Sequence, residues 1–303
     1  MIYTVTLNPS IDYIVRIDKV DIGNINRMES DDKYIGGKGI NVSRILNTLS
    51  IDNVALGFVG GFTGDFIEKG LNDSGIKTDF IRVDGDTRIN IKLKADSETE
   101  INAKGPIISE ENIKEIEKKL VNISSDDIVV FAGSSPTNIG NIIYDRLISV
   151  VKETGAEIVC DFEGDNLLRS LKSKPLLVKP NIYELEKMFN VKINTVKEVE
   201  SYAKQILRMG AKNVIISMGK DGAFFVNREV SFVSRNVTGV AKNSVGAGDS
   251  MVAGFVAGYI YDNNFLEAFK LGVACGSATA FSDDLASIDE IKKIYNMVEV
   301  MNL

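Results

Sequence analysis

Short runs of apolar, often β-branched residues alternate with helical patterns along most of this chain, and this alternation restricts the fold more than any other feature. Strands are predicted at Ile2–Leu7, Val54–Val59, Ile128–Ala132, Ile158–Asp161, Leu176–Val178 and Val214–Ser217. Helices with apolar positions at helical spacing are predicted at Ile40–Leu49, Asp65–Ser74, Glu110–Leu120, Ile139–Glu153 and Val196–Met209. Shorter strands at Ala223–Val226 and Val230–Val233 precede glycine-rich helices near 247–261 and 265–280. Repeated βαβ units predict an α/β fold whose mostly parallel sheet is covered on both faces.

Two segments, Tyr13–Val20 and Thr87–Ala103, break this rhythm because apolar and polar residues alternate in them without an intervening helix. The period of two puts Arg88, Asn90 and Lys92 on one face of a strand. Alternation alone favours a plain two-sided hairpin with solvated charges. Beside a site for an anionic ligand, the same strand would form a lid with its cationic face toward the ligand.

The chain of 303 residues contains no histidine, which removes the commonest general base and the commonest transition-metal ligand. An acid or base must therefore be a carboxylate, lysine, tyrosine or cysteine, and a metal would be a hard cation such as Mg²⁺ held by oxygen atoms. A net charge of −7 predicts no general attraction to nucleic acid or to anionic lipid. The two cysteines, Cys160 and Cys275, are predicted to be buried rather than bonded.

The segment NSVGAGDSMVAGF, residues 243–255, carries the strongest local signal for chemistry. Gly246, Ala247 and Gly248 leave backbone amides uncovered at a helix start, where amides and the helix dipole bind phosphate oxygens. Asp249 in this turn could accept the proton of an attacking hydroxyl. The turn taken alone favours a capped helix, in which Asp249 satisfies amides of the first turn.

Two further motifs begin helices. YIGGKGINVSRILN, residues 34–47, presents Lys38 in a glycine turn, and VKPNIYELE, residues 178–186, places Asn181 three positions before Glu184. Each also fits an ordinary helix start, the second as a capping box. The Walker pattern G-x-x-x-x-G-K-[ST] and the dinucleotide pattern G-x-G-x-x-G do not occur, which argues against P-loop NTPases and Rossmann dehydrogenases.

Together and in this order, the three motifs resemble those of the phosphofructokinase B, or ribokinase-like, family of carbohydrate kinases. The resemblance spans essentially the whole chain: Gly-Gly-x-Gly-x-Asn at 36–41 and the stretch Asn243–Val256 are similar to the family's two signatures. It implies a ribokinase-like three-layer αβα core in a single domain of residues 1–303. It also implies a small β-lid, formed by segments of about 12–34 and 87–103, through which homodimers of the family often form.

The resemblance further implies roles for individual residues. Asp249 would be the general base, and Gly246, Ala247 and Gly248 would form the anion hole. The sugar phosphate would contact Asp12, Gly37, Lys38, Asn41, Arg88, Asn90 and Asn102, with Lys38 and Arg88 on the phosphate it already carries. ATP would contact Lys179, Asn181, Ser217, Gly219, Gly222, Val245, Gly246 and Gly248. Mg²⁺ would be held by ATP phosphates and, through water, by Asn181 and Glu184.

Three stretches, TLNPSIDY, TRINIKLK and ETEINAKGP, are most similar to the bacterial members that phosphorylate fructose 1-phosphate at its C6 hydroxyl. Kinases of tagatose 6-phosphate or fructose 6-phosphate would keep the same catalytic residues. A non-catalytic sugar-phosphate-binding protein of kinase fold would be expected to lack the base or the glycines, and both are present here. With neither a basic leader nor about 20 consecutive apolar residues, we expect a cytoplasmic protein with no membrane partner.

Overall fold

The computed structural model describes residues 1–140, 142–235, 237–262 and 264–303. In chain order the strands are β1 (Ile2–Thr6), β2 (Ser10–Arg16), β3 (Ser30–Gly36), β4 (Asn53–Val59), β5 (Lys77–Thr78), β6 (Ile81–Arg82), β7 (Arg88–Lys94), β8 (Glu98–Ile101), β9 (Ile128–Ala132), β10 (Glu157–Asp161), β11 (Leu177–Val178), β12 (Asn213–Ser217), β13 (Ala223–Asn227), β14 (Ser231–Ser234) and β15 (Val300–Asn302). The helices are α1 (Lys38–Thr48), α2 (Gly61–Asp73), α3 (Glu110–Val121), α4 (Ile142–Thr154), α5 (Gly164–Ser170), α6 (Ile182–Phe189), α7 (Val196–Met209), α8 (Ala247–Asp262), α9 (Phe265–Ala280) and α10 (Ile288–Tyr295).

The central sheet has the strand order β15-β14-β13-β12-β11-β10-β9-β1-β4-β5, with β6 also paired to β4. The pairs from β12 to β5 are parallel, and β13, β14 and β15 extend one side antiparallel. Parallel strands bring their carboxyl ends to one edge of the sheet, where open α/β sheets bind their ligands.

Helices cover both faces of this sheet, and neighbouring residues of one strand belong to opposite layers. Val129 and Phe131 pack in a cluster with α3 to α7, whereas Ile128 and Val130 pack with α1 and α8 to α10. This two-residue period is what a strand buried on both faces requires. The predicted α/β fold with a three-layer αβα core is confirmed.

A second sheet of four strands, in the order β3-β2-β7-β8, stands beside this core. Strands β2 and β7 run parallel, and their registers place Ser10 beside Arg88 and Asp12 beside Asn90. At its base, Ile11 packs in a third apolar cluster with residues of α1 and α2, such as Ile40 and Ile67. We call this sheet the lid.

Most predicted elements match the structure to within a few residues, and the strand Ile128–Ala132 and the helix Val196–Met209 match at both ends. The predicted helix 139–153 includes Asn141, which lies outside the described residues; the helix is described from Ile142. Several elements were not predicted: β3, β5, β6, β15, α5 and α10. Their brevity or charge hides the pattern, as in β3, which reads Ser-Asp-Asp-Lys-Tyr-Ile-Gly. Across the described residues, the helices are too short or too polar to cross a membrane.

Candidate active site

A cavity of about 1300 Å³ lies between the lid and the carboxyl ends of the parallel strands. Nearly all the residues that the sequence analysis selected line it: Asp12, Gly37, Lys38, Asn41, Arg88, Asn90, Lys179, Asn181, Glu184, Ser217, Gly219, Gly222, Val245, Gly246, Ala247, Gly248 and Asp249. Asn102 is the exception, because it lies exposed just beyond the end of β8. The structure therefore does not bring Asn102 to the site.

Asp249 lies in the first turn of α8, buried at the floor of the cavity with 5% of its surface exposed. Its Oδ2 accepts a hydrogen bond of 2.8 Å from Nδ2 of Asn41 in α1. This bond joins residues 208 positions apart in the chain and brings the two glycine motifs to one point. A carboxylate so fixed is oriented before any substrate arrives.

The electrostatic surroundings of Asp249 make it a stronger base than an ordinary aspartate. Burial and the neighbouring Asp161 carboxylate raise the pKa of Asp249 to about 6, against the opposing effect of the Lys38 and Lys179 ammonium groups. A carboxylate with this pKa is still ionised at neutral pH while accepting a proton more readily. Both features suit a general base.

Asp161, at the carboxyl end of β10, forms a buried ion pair with Lys179, whose Nζ lies 3.5 Å from Oδ1. Burial alone would raise the pKa of Asp161, but the charges of Lys179 and Lys38 together hold that pKa below its ordinary value. The other oxygen, Oδ2, is buried without a hydrogen-bond partner among the described residues. The two carboxylates at the cavity floor thus have opposite pKa shifts: the pKa of Asp161 is lowered, and the pKa of Asp249 is raised.

Lys38 begins α1 directly after Gly37 and is drawn into this group of carboxylates. Its Nζ lies 3.3 Å from Glu163, and Asp161, Asp249 and Glu163 hold the pKa of Lys38 above its ordinary value. The sequence motif predicted an ammonium beside uncovered amides. It did not reveal that the largest effect on the pKa of Lys38 comes from the Asp161 carboxylate at the cavity floor.

The start of α8 depends on two glycines, one just before the helix and one in its first turn. Gly246 has φ +79°, a conformation that side chains disfavour, and a Cβ there would come 2.5 Å from Leu285. A Cβ on Gly248 would come 2.9 Å from Nζ of Lys179. The Lys179 ammonium therefore lies close to Gly248, at the helix start whose amides could bind a phosphate.

The lid presents its polar face to the cavity, so the interpretation of a plain solvated hairpin is wrong. Asn90 and Lys92 are both buried, whereas Ile89 on the opposite face is 38% exposed. Arg88 donates hydrogen bonds of 3.2 Å to the backbone oxygens of Asn8 and Ala103, and burial lowers its pKa. These two bonds fix the guanidinium plane and leave further N–H groups of Arg88 for a ligand.

The other half of the cavity is formed by the ends of β11 and β12. Asn181 caps α6 in a capping box with Glu184: each side chain accepts a hydrogen bond from the other residue's amide, at 2.8 and 2.9 Å. Asn181 also pairs with Ser217 through an isolated parallel β-bridge. The helix-capping interpretation of this motif is thus confirmed, and both side chains nevertheless line the cavity. Burial raises the pKa of Glu184.

Among the polar residues of the cavity that sequence reasoning missed are Asp161, Glu163 and Ser134. Asp161 could have been found, because it is the last residue of a predicted strand and such ends meet at the ligand edge of the sheet. Within the described residues, three or more histidine, cysteine or acidic side chains do not gather as a metal-binding group. A hard cation bound here would need oxygen atoms of a bound phosphate or of water to complete its coordination.

Comparison with known proteins agrees with this geometry. The model of the pfkB family carbohydrate kinases matches residues 5–290. Over the full length of both chains, the protein is 46% identical to a 1-phosphofructokinase of Bacillus subtilis and 36% identical to a D-tagatose-1-phosphate kinase of Bacillus licheniformis. A 1-phosphofructokinase of Borreliella burgdorferi is 40% identical, with 100% of this chain and 99% of the relative covered.

A crystal structure of a putative phosphofructokinase from Staphylococcus aureus superposes with a TM-score of 0.91 at 46% identity, covering 100% of this chain and 99% of the other. Fold, motifs and overall similarity therefore agree over the whole chain. The chain belongs to the pfkB family of carbohydrate kinases.

Proposed function

We propose that this kinase transfers the γ-phosphoryl group of ATP to the C6 hydroxyl of fructose 1-phosphate, giving fructose 1,6-bisphosphate. The observation that carries the proposal is the position of Asp249. Its carboxylate is fixed by Asn41 at the point where the sugar side of the cavity, with Arg88, meets the anion-binding turn of α8. Full-length similarity to two 1-phosphofructokinases supports the choice of sugar.

The reaction needs a base for the attacking hydroxyl, and Asp249 takes this role. With a pKa near 6 it is ionised at neutral pH, so it can accept the C6 hydroxyl proton as the oxygen attacks phosphorus. The bond from the γ-phosphorus to the β,γ-bridging oxygen breaks, and ADP leaves with that oxygen. Amides of residues 246–249 stabilise the charge on the phosphoryl group in transfer.

Two cations divide the work on phosphate. Arg88, held on the lid side of the cavity, binds the phosphate that the sugar already carries, because a guanidinium can contact two phosphate oxygens. Lys38 was predicted to share this task. Its ammonium lies among Asp161, Asp249 and Glu163, so we assign it instead to the phosphoryl group being transferred.

Magnesium fits the carboxylates that the cavity offers. The partnerless Oδ2 of Asp161 is a buried oxygen suited to a hard cation or its water, and Glu184 lines the same cavity. Asn181 and Glu184 already bond to each other's amides, which favours contact through water. When bound with ATP, Mg²⁺ neutralises phosphate charge. ATP would lie along Lys179, Ser217, Gly219 and Gly222 and reach the turn at Val245–Gly248.

The lid also supports the proposal of a homodimer. Its face away from the cavity is apolar, with Ile89 and Ile101 exposed by 38% and 56%. A second lid packed on this face would remove that surface from water. A cytoplasmic location stays a prediction.

The related kinases of tagatose 6-phosphate and fructose 6-phosphate are the alternatives within the family, and rates separate them from the proposal. We expect the highest kcat/KM for fructose 1-phosphate when ADP release is measured with fructose 1-phosphate, fructose 6-phosphate, tagatose 6-phosphate and fructose. A higher value for either 6-phosphate would contradict the proposed substrate. Absence of turnover with all four would instead favour a binding protein.

A further inference from the structure

The inner face of the lid contains a largely buried ion pair between Lys92 and Asp12, and this pair adds a residue to the sugar site. Nζ of Lys92 lies 3.6 Å from Oδ2 of Asp12, and the two side chains are only 10% and 16% exposed. We propose that Lys92 is a positioning residue, which holds the Asp12 carboxylate in place as the acceptor for hydroxyl groups of the sugar. The inference rests on the proposed function, because it assigns a role within the same sugar site.

The ion pair shows that the Lys92 ammonium lies beside Asp12, although the strand register places another acid directly opposite Lys92. Lys92 in β7 is paired with Ile14 of β2 on one side and with Glu100 of β8 on the other. Glu100 is exposed and directly opposite, which is the usual geometry for a cross-strand ion pair. The Lys92 ammonium nevertheless lies beside Asp12, one residue pair closer to the cavity.

Asp12 is held on every side that the lid offers. Its Oδ1 accepts hydrogen bonds from Oγ of Ser10 at 2.9 Å and from Nδ2 of Asn90 at 3.1 Å. A Cβ on Gly36 of β3 would come 2.7 Å from its carboxyl carbon, so the carboxylate lies flat against that strand. Lys92 completes the set by balancing the charge on Oδ2.

The charge of Lys92 matters because the substrate is an anion. Without a nearby cation, the Asp12 carboxylate would repel a sugar phosphate. Paired with Lys92, Asp12 can accept hydrogen bonds from hydroxyl groups without opposing the approach of the phosphate. The buried Oδ1 of Asn90, which has no partner among the described residues, points to a second hydrogen-bond donor on the same ligand.

The arrangement also fixes which part of the sugar lies here. A carboxylate accepts from hydroxyl groups and rejects phosphate, whereas Arg88, two residues before Asn90, attracts phosphate. The sugar phosphate therefore lies along β7, with its phosphate at Arg88 and its unphosphorylated carbons at Asp12 and Asn90. Lys92 contributes to binding of the unphosphorylated carbons by holding Asp12.

The test is the kinetics of Lys92→Met, Lys92→Arg and the control Lys94→Met, which removes a charge on the same strand face one step farther from the cavity. We expect Lys92→Met to raise the KM for fructose 1-phosphate by about tenfold or more, the effect of losing a charge-assisted contact. The KM for ATP and kcat should stay within about twofold, and Lys92→Arg should recover most of the loss. Lys94→Met should match the parent.

A double-mutant cycle with Asp12→Asn keeps the inference testable if Lys92→Met alone folds poorly, because the Asp12→Asn/Lys92→Met protein buries no unpaired charge. We expect its KM for fructose 1-phosphate to be no higher than that of Asp12→Asn. An unchanged KM in Lys92→Met, additive losses in the cycle, or an equal loss in Lys94→Met would overturn the role of Lys92. If the parent enzyme does not phosphorylate fructose 1-phosphate, the proposed function fails instead.

Discussion

Replacing Asp249 with asparagine removes a charge that the folded protein keeps out of water, so we expect the variant to be more stable than the parent at neutral pH. Asparagine has nearly the same shape, and its side-chain oxygen still accepts the hydrogen bond from Asn41. The difference in stability between the two proteins therefore reports mainly on the charge. A residue kept for function at a cost in stability is a common property of active sites.

The size of the effect follows from the pKa. The pKa of Asp249 is raised from its ordinary value of 3.8 to about 6, with burial and the Asp161 charge as the main causes. A change of this size corresponds to about 3 kcal/mol. The pKa of Asp249 is higher in the folded state than in the unfolded state, so its protonated form contributes to the stability of the fold. That contribution is fully present below a pH of 3.8 and is lost as the pH rises through about 6.

Urea unfolding of the parent and of Asp249→Asn tests this window. The variant should be more stable by about 3 kcal/mol at a pH of about 8, and the difference should shrink toward zero near a pH of about 4. Asp126→Asn, which removes an exposed carboxylate, should show little difference at either pH. If Asp249→Asn is less stable than the parent at the higher pH, the account of a destabilised, buried base is refuted.

Three further predictions concern the same site. In a carboxyl-carbon NMR titration of the free enzyme, the signal that disappears in Asp249→Asn should have its midpoint at about 6, and a midpoint near 3.8 would contradict the burial argument. Arg88→Ala should lower kcat/KM for fructose 1-phosphate by about 10- to 100-fold, because a charge-assisted contact is lost; any rate with unphosphorylated fructose should stay nearly constant, and equal losses would assign Arg88 to the fold or to the nucleotide. Glu184→Gln should raise the Mg²⁺ concentration for half-maximal rate by about tenfold, and an unchanged requirement would remove Glu184 from the metal site.

Local sequence patterns were sufficient for the parts of the site that depend on short-range structure. The glycine turns before α1 and α8 were visible because uncovered amides need glycine or alanine at fixed positions. The polar face of β7 was visible because a strand alternates its side chains. In each case the interpretation depended on fewer than about ten neighbouring residues, the scale on which periodicity and turn chemistry act.

Contacts between residues on different sides of the cavity could not be predicted from local sequence patterns, because they depend on how separate βαβ units pack. Examples are the hydrogen bond between Asn41 and Asp249, the ion pair of Asp161 with Lys179, and the position of Lys38 among carboxylates. Asn102 shows the converse, since its motif matched the family while its side chain lies in solvent beyond β8. Long-range electrostatics and the direction of a loop are properties of the folded chain, not of its local pattern.

The most direct test of the account is the turnover of Asp249→Asn with saturating ATP, Mg²⁺ and fructose 1-phosphate. We predict that kcat falls by roughly 10² to 10⁴ while nucleotide affinity stays nearly unchanged, because asparagine keeps the shape of the site but cannot accept the hydroxyl proton. A variant that turns over fructose 1-phosphate as fast as the parent would contradict the assignment of Asp249 as the base.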